Sequence, residues 1–346
     1  MTQIQLPGEG VAWAVAALAG VAVLAGLVWM PHAVYRPWLG ACAAWLGWPL
    51  GSMALMLTHA LTGGRWGEIL RPALRAGVAT LPLGLPALAV LLAGAGELYP
   101  WLHGEGAAHG ANRFYLNPLF ALLRIALYAG IWGMLGVLCL RGQGLARIAP
   151  AGLILLALTF SFASIDLTES LDPHFNSSAY GLIASAGAGL LALALAMLLV
   201  LLAGAPQADR IVLRELARLL LGLTVLWAYL DFMQFLIVWQ SNLPVEAAWY
   251  GRRLHGGWGS VAVGIVLLHF LLPFALLMLA PLQVRRLVVL GAAGLLVAME
   301  VVRNLWLVLP GQASVSVLLT LASLLLFGAA GAALGIRAMQ REVRHA

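Results

Sequence analysis

Apolar residues run along the chain in ten blocks, each about twenty residues long and closed off by Pro, Gly, Arg or an acid. The blocks cover residues 11–30, 38–62, 76–96, 118–141, 148–166, 178–204, 211–240, 255–279, 285–309 and 313–337. At a rise of about 1.5 Å per residue, a helix of that length crosses the roughly 30 Å hydrocarbon core of a bilayer. The pattern therefore predicts an all-α polytopic membrane protein with ten transmembrane helices, a single integral membrane domain over residues 1–346. The longest connection, Glu97 to Pro118, is too short to be a water-soluble domain. The opening residues, MTQIQLPGEGVAWAVAALAG, lack the basic start of a signal peptide and are expected to be a retained first span.

Composition agrees, since 63% of residues are hydrophobic and only 9% are charged, too few to solvate a soluble surface. All 19 basic residues are arginine. Thirteen of these fall on the side of the termini (Arg65, Arg71, Arg75, Arg141, Arg147, Arg210, Arg214, Arg218, Arg285, Arg286, Arg337, Arg341 and Arg344) and four on the other (Arg36, Arg113, Arg252 and Arg253). By the positive-inside rule both termini are cytoplasmic, as in a multi-pass protein of a bacterial inner membrane. The basic balance thus reports topology and lipid contact, and no nucleic-acid partner is expected. Cys42 and Cys139 lie inside apolar blocks, with no CxxC and no Cys/His cluster, so no metal site and no covalently bound cofactor is expected.

Charge inside a bilayer is costly, so an ionisable residue within a span normally faces the bundle interior and a partner. Asp231, His269, Glu300 and Arg303 stand in the seventh, eighth and ninth blocks at matching depth, and are expected to form one polar cluster. Glu300 and Arg303, three residues apart, share a helix face and can pair on one turn. His59 lies near the cytoplasmic end of the second block, Arg124 near the outer end of the fourth, and Asp166 at the outer end of the fifth. Such stations at graded depth serve a proton path equally well as a set of structural ion pairs. A haem held by His59 and His269 would need matched depths, and theirs differ. No nucleophile, base and orienter come together, so no catalytic residue is assigned. LTGGRWG, Leu61 to Gly67, lacks the Lys-Ser/Thr of a phosphate loop and is read as a helix end at Gly63-Gly64.

One stretch stands apart. SIDLTESLDPHF, Ser164 to Phe175, places three carboxylates and a histidine between the fifth and sixth blocks, on the outer side. Asp172-Pro173 has turn chemistry, and Asp172 is positioned to cap the helix that follows. The bland interpretation is a polar turn. Asp166 fits it least, because a carboxylate at the end of an apolar run must be hydrated, paired or protonated.

WPLGSMALMLTHALTGGRWG, SIDLTESLDPHF, WAYLDFMQFLIVWQSNLPVEAAWY, HGGWG with HFLLPF, and VVRNLWLVLP occur in an order that resembles the F subunit of alternative complex III, in the NrfD-like membrane family. The resemblance implies two four-helix bundles, helices 2–5 in about 38–166 and helices 6–9 in about 178–309, plus two peripheral helices. It implies a subunit of a bacterial quinol:electron-acceptor oxidoreductase without a redox centre of its own, contributing proton conduction or quinone contact. Its expected partners are haem c and iron–sulfur subunits on the periplasmic side and a sister NrfD-like subunit, with quinone or quinol as the one ligand implied. Matching positions are His59, Asp166, Asp172, His174, Asp231, Asn242, Glu246, His269 and Arg303; the chain departs at Ala60, where relatives often carry a second histidine. With the resemblance, Asp172, His174 and Glu246 become a docking edge or proton exit. The competing classes are an ion-coupled secondary transporter, for which broken midplane helices in corresponding positions would speak, and a scaffold whose buried ions only set helix register.

Overall fold

The computed structural model describes residues 8–103, 114–203, 209–311 and 315–345. Among these, ten helices are long and apolar enough to cross a membrane: Glu9–Trp29, Pro31–Thr62, Arg65–Ala93, Pro118–Arg141, Leu145–Leu171, Tyr180–Leu202, Arg210–Ser241, Gly256–Met278, Arg286–Val308 and Val317–Arg341. They are called the first to the tenth span below. The protein is an all-α polytopic membrane protein. Part of the long connection, residues 104–113 with Arg113, lies outside the described residues.

Local chemistry explains most boundaries. Asn117 caps the fourth span by accepting from the amides of Leu119 and Phe120, with Pro118 at the first helical position, where its missing N–H costs nothing. Asp209 caps the seventh in the same way, and the bond from the Val212 amide, first among several, holds its carboxyl below the usual range. The second span ends at Gly63 and Gly64, both at positive φ, where the Gly63 amide closes on the His59 carbonyl at 2.8 Å. The third span corrects the sequence expectation: it begins at Arg65 rather than near 76, because the glycine pair reverses the chain at once.

The second and sixth spans form the centre. Gly47 and Gly51 bring the second span against Ala188 of the sixth, and a Cβ on Gly51 would collide with the Ala188 carbonyl. The second packs on the third, fifth, sixth, ninth and tenth spans; the sixth packs on the third, fifth, seventh and ninth as well. The first span lies along the tenth and turns Leu18, Val21, Leu24 and Val28 outward, as a lipid-facing helix does. Two spans depart from regular α geometry in their interior. The third contains a 3-10 turn at Leu81–Leu83, where Thr80 donates to the Gly77 carbonyl and accepts from the Trp45 indole. The eighth opens into a π-helical segment, Ile265–Leu271, just before Pro273, which has no N–H to return to the carbonyl four residues back, that of His269.

Candidate functional site

Asp231 of the seventh span, His269 of the eighth, and Glu300 and Arg303 of the ninth do meet. His269 sits at the centre of the π segment, fully buried, with its ring 4.0 Å from that of Trp227. Its Nε2 lies 3.3 Å from Glu300 Oε2, off the line of a hydrogen bond, so both ring nitrogens and that oxygen are left without a hydrogen-bond partner. Glu300 is held from its own helix by Asn304, and its Oε1 presses on the sixth span where only a glycine, Gly187, leaves room. Arg303 donates to Asp231. This corrects the expected pair along one helix turn: the guanidinium reaches across to the seventh span instead of back to Glu300. Its Nε and Nη1 remain unpartnered in the interior.

A cavity of about 70 Å³ adjoins these groups, lined by Asp231, Gln234, Glu300, Arg303 and Asn304 on one side and by the second, fifth and sixth spans on the other. Trp249 and Tyr250, from a short helix Pro244–Leu254, close it toward the end of the bundle that carries Asp172. Trp249 stacks on Phe175 at 4.3 Å between ring centres, and Arg253 covers its other side at 3.6 Å. Burial, with the Asp231 carboxylate adding to it, holds the Tyr250 phenol well above its ordinary pKa, so it stays a neutral donor.

The first half of the chain carries a different arrangement. Arg124 of the fourth span grips Asp166 of the fifth with two parallel bonds of 2.9 and 2.8 Å, and Tyr128 adds a third to the same carboxylate at 2.8 Å. Both charged side chains are less than a tenth exposed. Tyr115 lies flat on the guanidinium at 3.8 Å, and its carbonyl accepts from Nη1. With both carboxylate oxygens engaged and the planar fork matched, this is a closed, bidentate pair. Two carboxylate candidates in the sequence thus prove unlike: Asp166 is locked, whereas Glu300 has an open oxygen.

The three carboxylates of SIDLTESLDPHF separate in the same way. Asp172 does not cap the following helix, which begins at Tyr180 behind Ala179. It instead accepts from the His174 amide at 3.3 Å and pairs with Arg252 of the short outer helix. The cap expectation fails because seven residues intervene, and because an arginine distant in sequence arrives at Asp172. The Arg252 side chain is 45% exposed, so this pair is solvent-screened. Asp172→Asn keeps an acceptor for the His174 amide and loses only the ion pair. Its expected cost is below about 1 kcal/mol and shrinks with added salt, as thermal unfolding at two ionic strengths will measure. Glu169, between the two aspartates, was not singled out by sequence reasoning. It is buried, its backbone lies in the 3-10 turn that ends the fifth span, and its Oε1 accepts from the Ser177 amide. The available signal was its position one turn beyond Asp166 in a chain so poor in charge.

The remaining candidates stay apart from the cluster. His59 binds the Gly64 carbonyl at 2.9 Å, stands edge-on to Trp66 at 5.3 Å, and borders a second cavity of about 420 Å³ with Glu68 and Arg71 at the opposite end of the bundle. Asn242 ends the seventh span in the left-handed conformation, which asparagine tolerates well. Glu246 sits half-buried in the first turn of the short outer helix, and His174 is exposed. Among the described residues, no three His, Cys, Asp or Glu gather as a metal site would require. No protein-family model matches the chain, and no curated protein does.

Proposed function

We propose that this chain is the integral membrane subunit of a bacterial quinol-oxidising respiratory complex of the alternative complex III type, and that it conducts protons through the cluster of Asp231, His269, Glu300 and Arg303. The complex is read from the ordered motifs of the sequence; proton conduction is read from the site. The observation that carries it is the set of buried, unpartnered polar atoms on His269, Glu300 and Arg303, the last two lining a cavity. A structural ion pair consumes its donors and acceptors, as Arg124 and Asp166 do, whereas a conducting site must leave some open to exchange partners. The membrane is the inner membrane, both termini are cytoplasmic by the arginine bias, and the Asp172 end faces the periplasm, where haem c and iron–sulfur subunits dock. Quinone contacts are shared with a sister subunit, and the chain brings no redox centre of its own.

The transporter alternative draws less support. The irregular segments lie in the third and eighth spans, which are not counterparts in two halves of four spans each. At the third-span break, the Thr80 amide and hydroxyl both return to Gly77, so few free backbone groups face a substrate. For the test, the full chain is reconstituted in liposomes and proton flux is driven by an imposed potential. Glu300→Gln and Asp231→Asn are expected to lower flux about tenfold or more. Wild-type flux in both variants sinks the conducting assignment and returns the cluster to a scaffold.

A further inference from the structure

The cluster lies within the bundle, and something must link it to the surface at the Asp172 end. Of the three carboxylates there, Asp166 is consumed by Arg124 and Tyr128, and Asp172 by Arg252. Glu169 differs from both. It is 5% exposed, has no ion-pair partner among the described residues, and its Oε2 is buried without a hydrogen bond. The nearby phenol does not compensate it either, since Tyr180 donates to the Thr168 hydroxyl at 2.9 Å. A carboxylate so placed is costly unless it is protonated or bound by water.

The connection to the cluster runs through Ser177. Its amide donates to Glu169 Oε1, and its hydroxyl donates to the Gln234 side-chain carbonyl. Gln234 stands three residues beyond Asp231 on the seventh span, and both line the cavity with Glu300 and Arg303. At about 10–15 Å³ per water, a cavity of about 70 Å³ holds a few, provided that each finds two to four polar partners. Glu300 Oε2 and Arg303 Nε and Nη1 are such partners, each buried and unmatched by protein.

We infer that Glu169 is a proton-carrying station between the membrane cluster and the Asp172 end, joined to Glu300 by water that fills the cavity closed by Trp249 and Tyr250 and passes its wall at Thr168, the neighbour of Glu169 in the chain. A proton leaves the Glu300 carboxyl for a cavity water, a proton from that water chain forms the O–H bond on Glu169 Oε2, and the same O–H breaks when the proton passes to water outside. One bond forms as each one breaks, and no electron moves. Ser177 and Gln234 carry no proton in this sequence; they hold Oε1 and orient the carboxyl. The inference rests on the proton-conducting reading, and its test separates the two.

The experiment is infrared difference spectroscopy of the full chain in liposomes during a pH titration, in H2O and in D2O, with flux measured on the same preparations. The expected result is a carboxyl band that disappears in Glu169→Gln, shifts within seconds of transfer to D2O, and is displaced in Glu300→Gln. Glu169→Gln keeps the acceptor for the Ser177 amide, and Glu169→Asp, which should move the band without abolishing it, serves if the glutamine variant does not insert. A spectrum unchanged by Glu169→Gln, or a Glu169 band that exchanges only over hours, overturns the proposal. Normal flux in Glu169→Gln beside lost flux in Glu300→Gln overturns the station and leaves the conducting reading standing. Normal flux in both overturns the two together.

Discussion

Arg303→Leu is expected to destabilise the protein by about 3 kcal/mol, the low end of the cost of breaking a buried pair, because the Asp231 side chain left without its partner is 29% exposed. Arg303 is only 6% exposed and donates to Asp231, which would then face the bundle interior with no counter-charge. Glu300, on the adjoining turn, would lose the same nearby positive group. The control is Arg303→Leu combined with Asp231→Leu, in which the desolvation penalty vanishes with the charges. If the two side chains act as a pair, the double variant recovers most of the lost stability, and the cycle shows a coupling energy well beyond that of an exposed pair. Additive losses in a denaturant titration would show that Arg303 and Asp231 do not depend on each other. Proton flux should fall in the single and the double variant alike, since the double variant restores packing without restoring an ionisable group.

Asp166→Leu should cost a similar amount, about 3–5 kcal/mol, for the same reason and with a different functional outcome. Here Arg124 would be stranded with two of its donors unmet, still stacked on Tyr115, and Tyr128 would lose its acceptor. Arg124→Leu with Asp166→Leu is expected to return close to wild-type stability, because well-packed apolar side chains commonly replace a buried ion pair at little cost. Flux in that double variant should be unchanged, since every polar atom of the Asp166 carboxylate is already committed and none is free to exchange. A loss of flux in the refolded double variant would place Asp166 on the proton path and contradict the division drawn between the two halves. Stability recovered in both double variants, with flux lost only at Asp231 and Arg303, is the expected pattern.

Much of this was legible in the linear chain. Ten apolar blocks became ten spans, because a bilayer leaves a polypeptide few ways to satisfy its backbone other than helices of about twenty residues. The fourth and seventh boundaries fell within a residue or two of their polar limits, since Asn117 and Asp209 act locally. Gathering Asp231, His269, Glu300 and Arg303 also followed from sequence, because buried charge at one depth must find buried charge. Partnership did not follow. Arg303 turned to Asp231 and left Glu300 open, Asp172 found Arg252 instead of a helix end, and Arg124 proved to be the clamp on Asp166.

These choices depend on which helix faces meet, and helix faces in this chain are nearly all apolar, so periodicity does not rank one neighbour above another. Close packing does. Gly51 allows the second span to reach Ala188, Gly187 admits the Glu300 carboxyl, and Arg303, three residues on from Glu300, meets Asp231 of the seventh span. Length and hydropathy thus determined the number of the spans and most of their ends, which are properties of residues taken one block at a time, though not the starts of the second and third. The division of the acids into locked, latched and open was decided only by the tertiary structure, because a carboxylate's role depends on which donors lie within about 3 Å of it, and those come from spans distant in sequence.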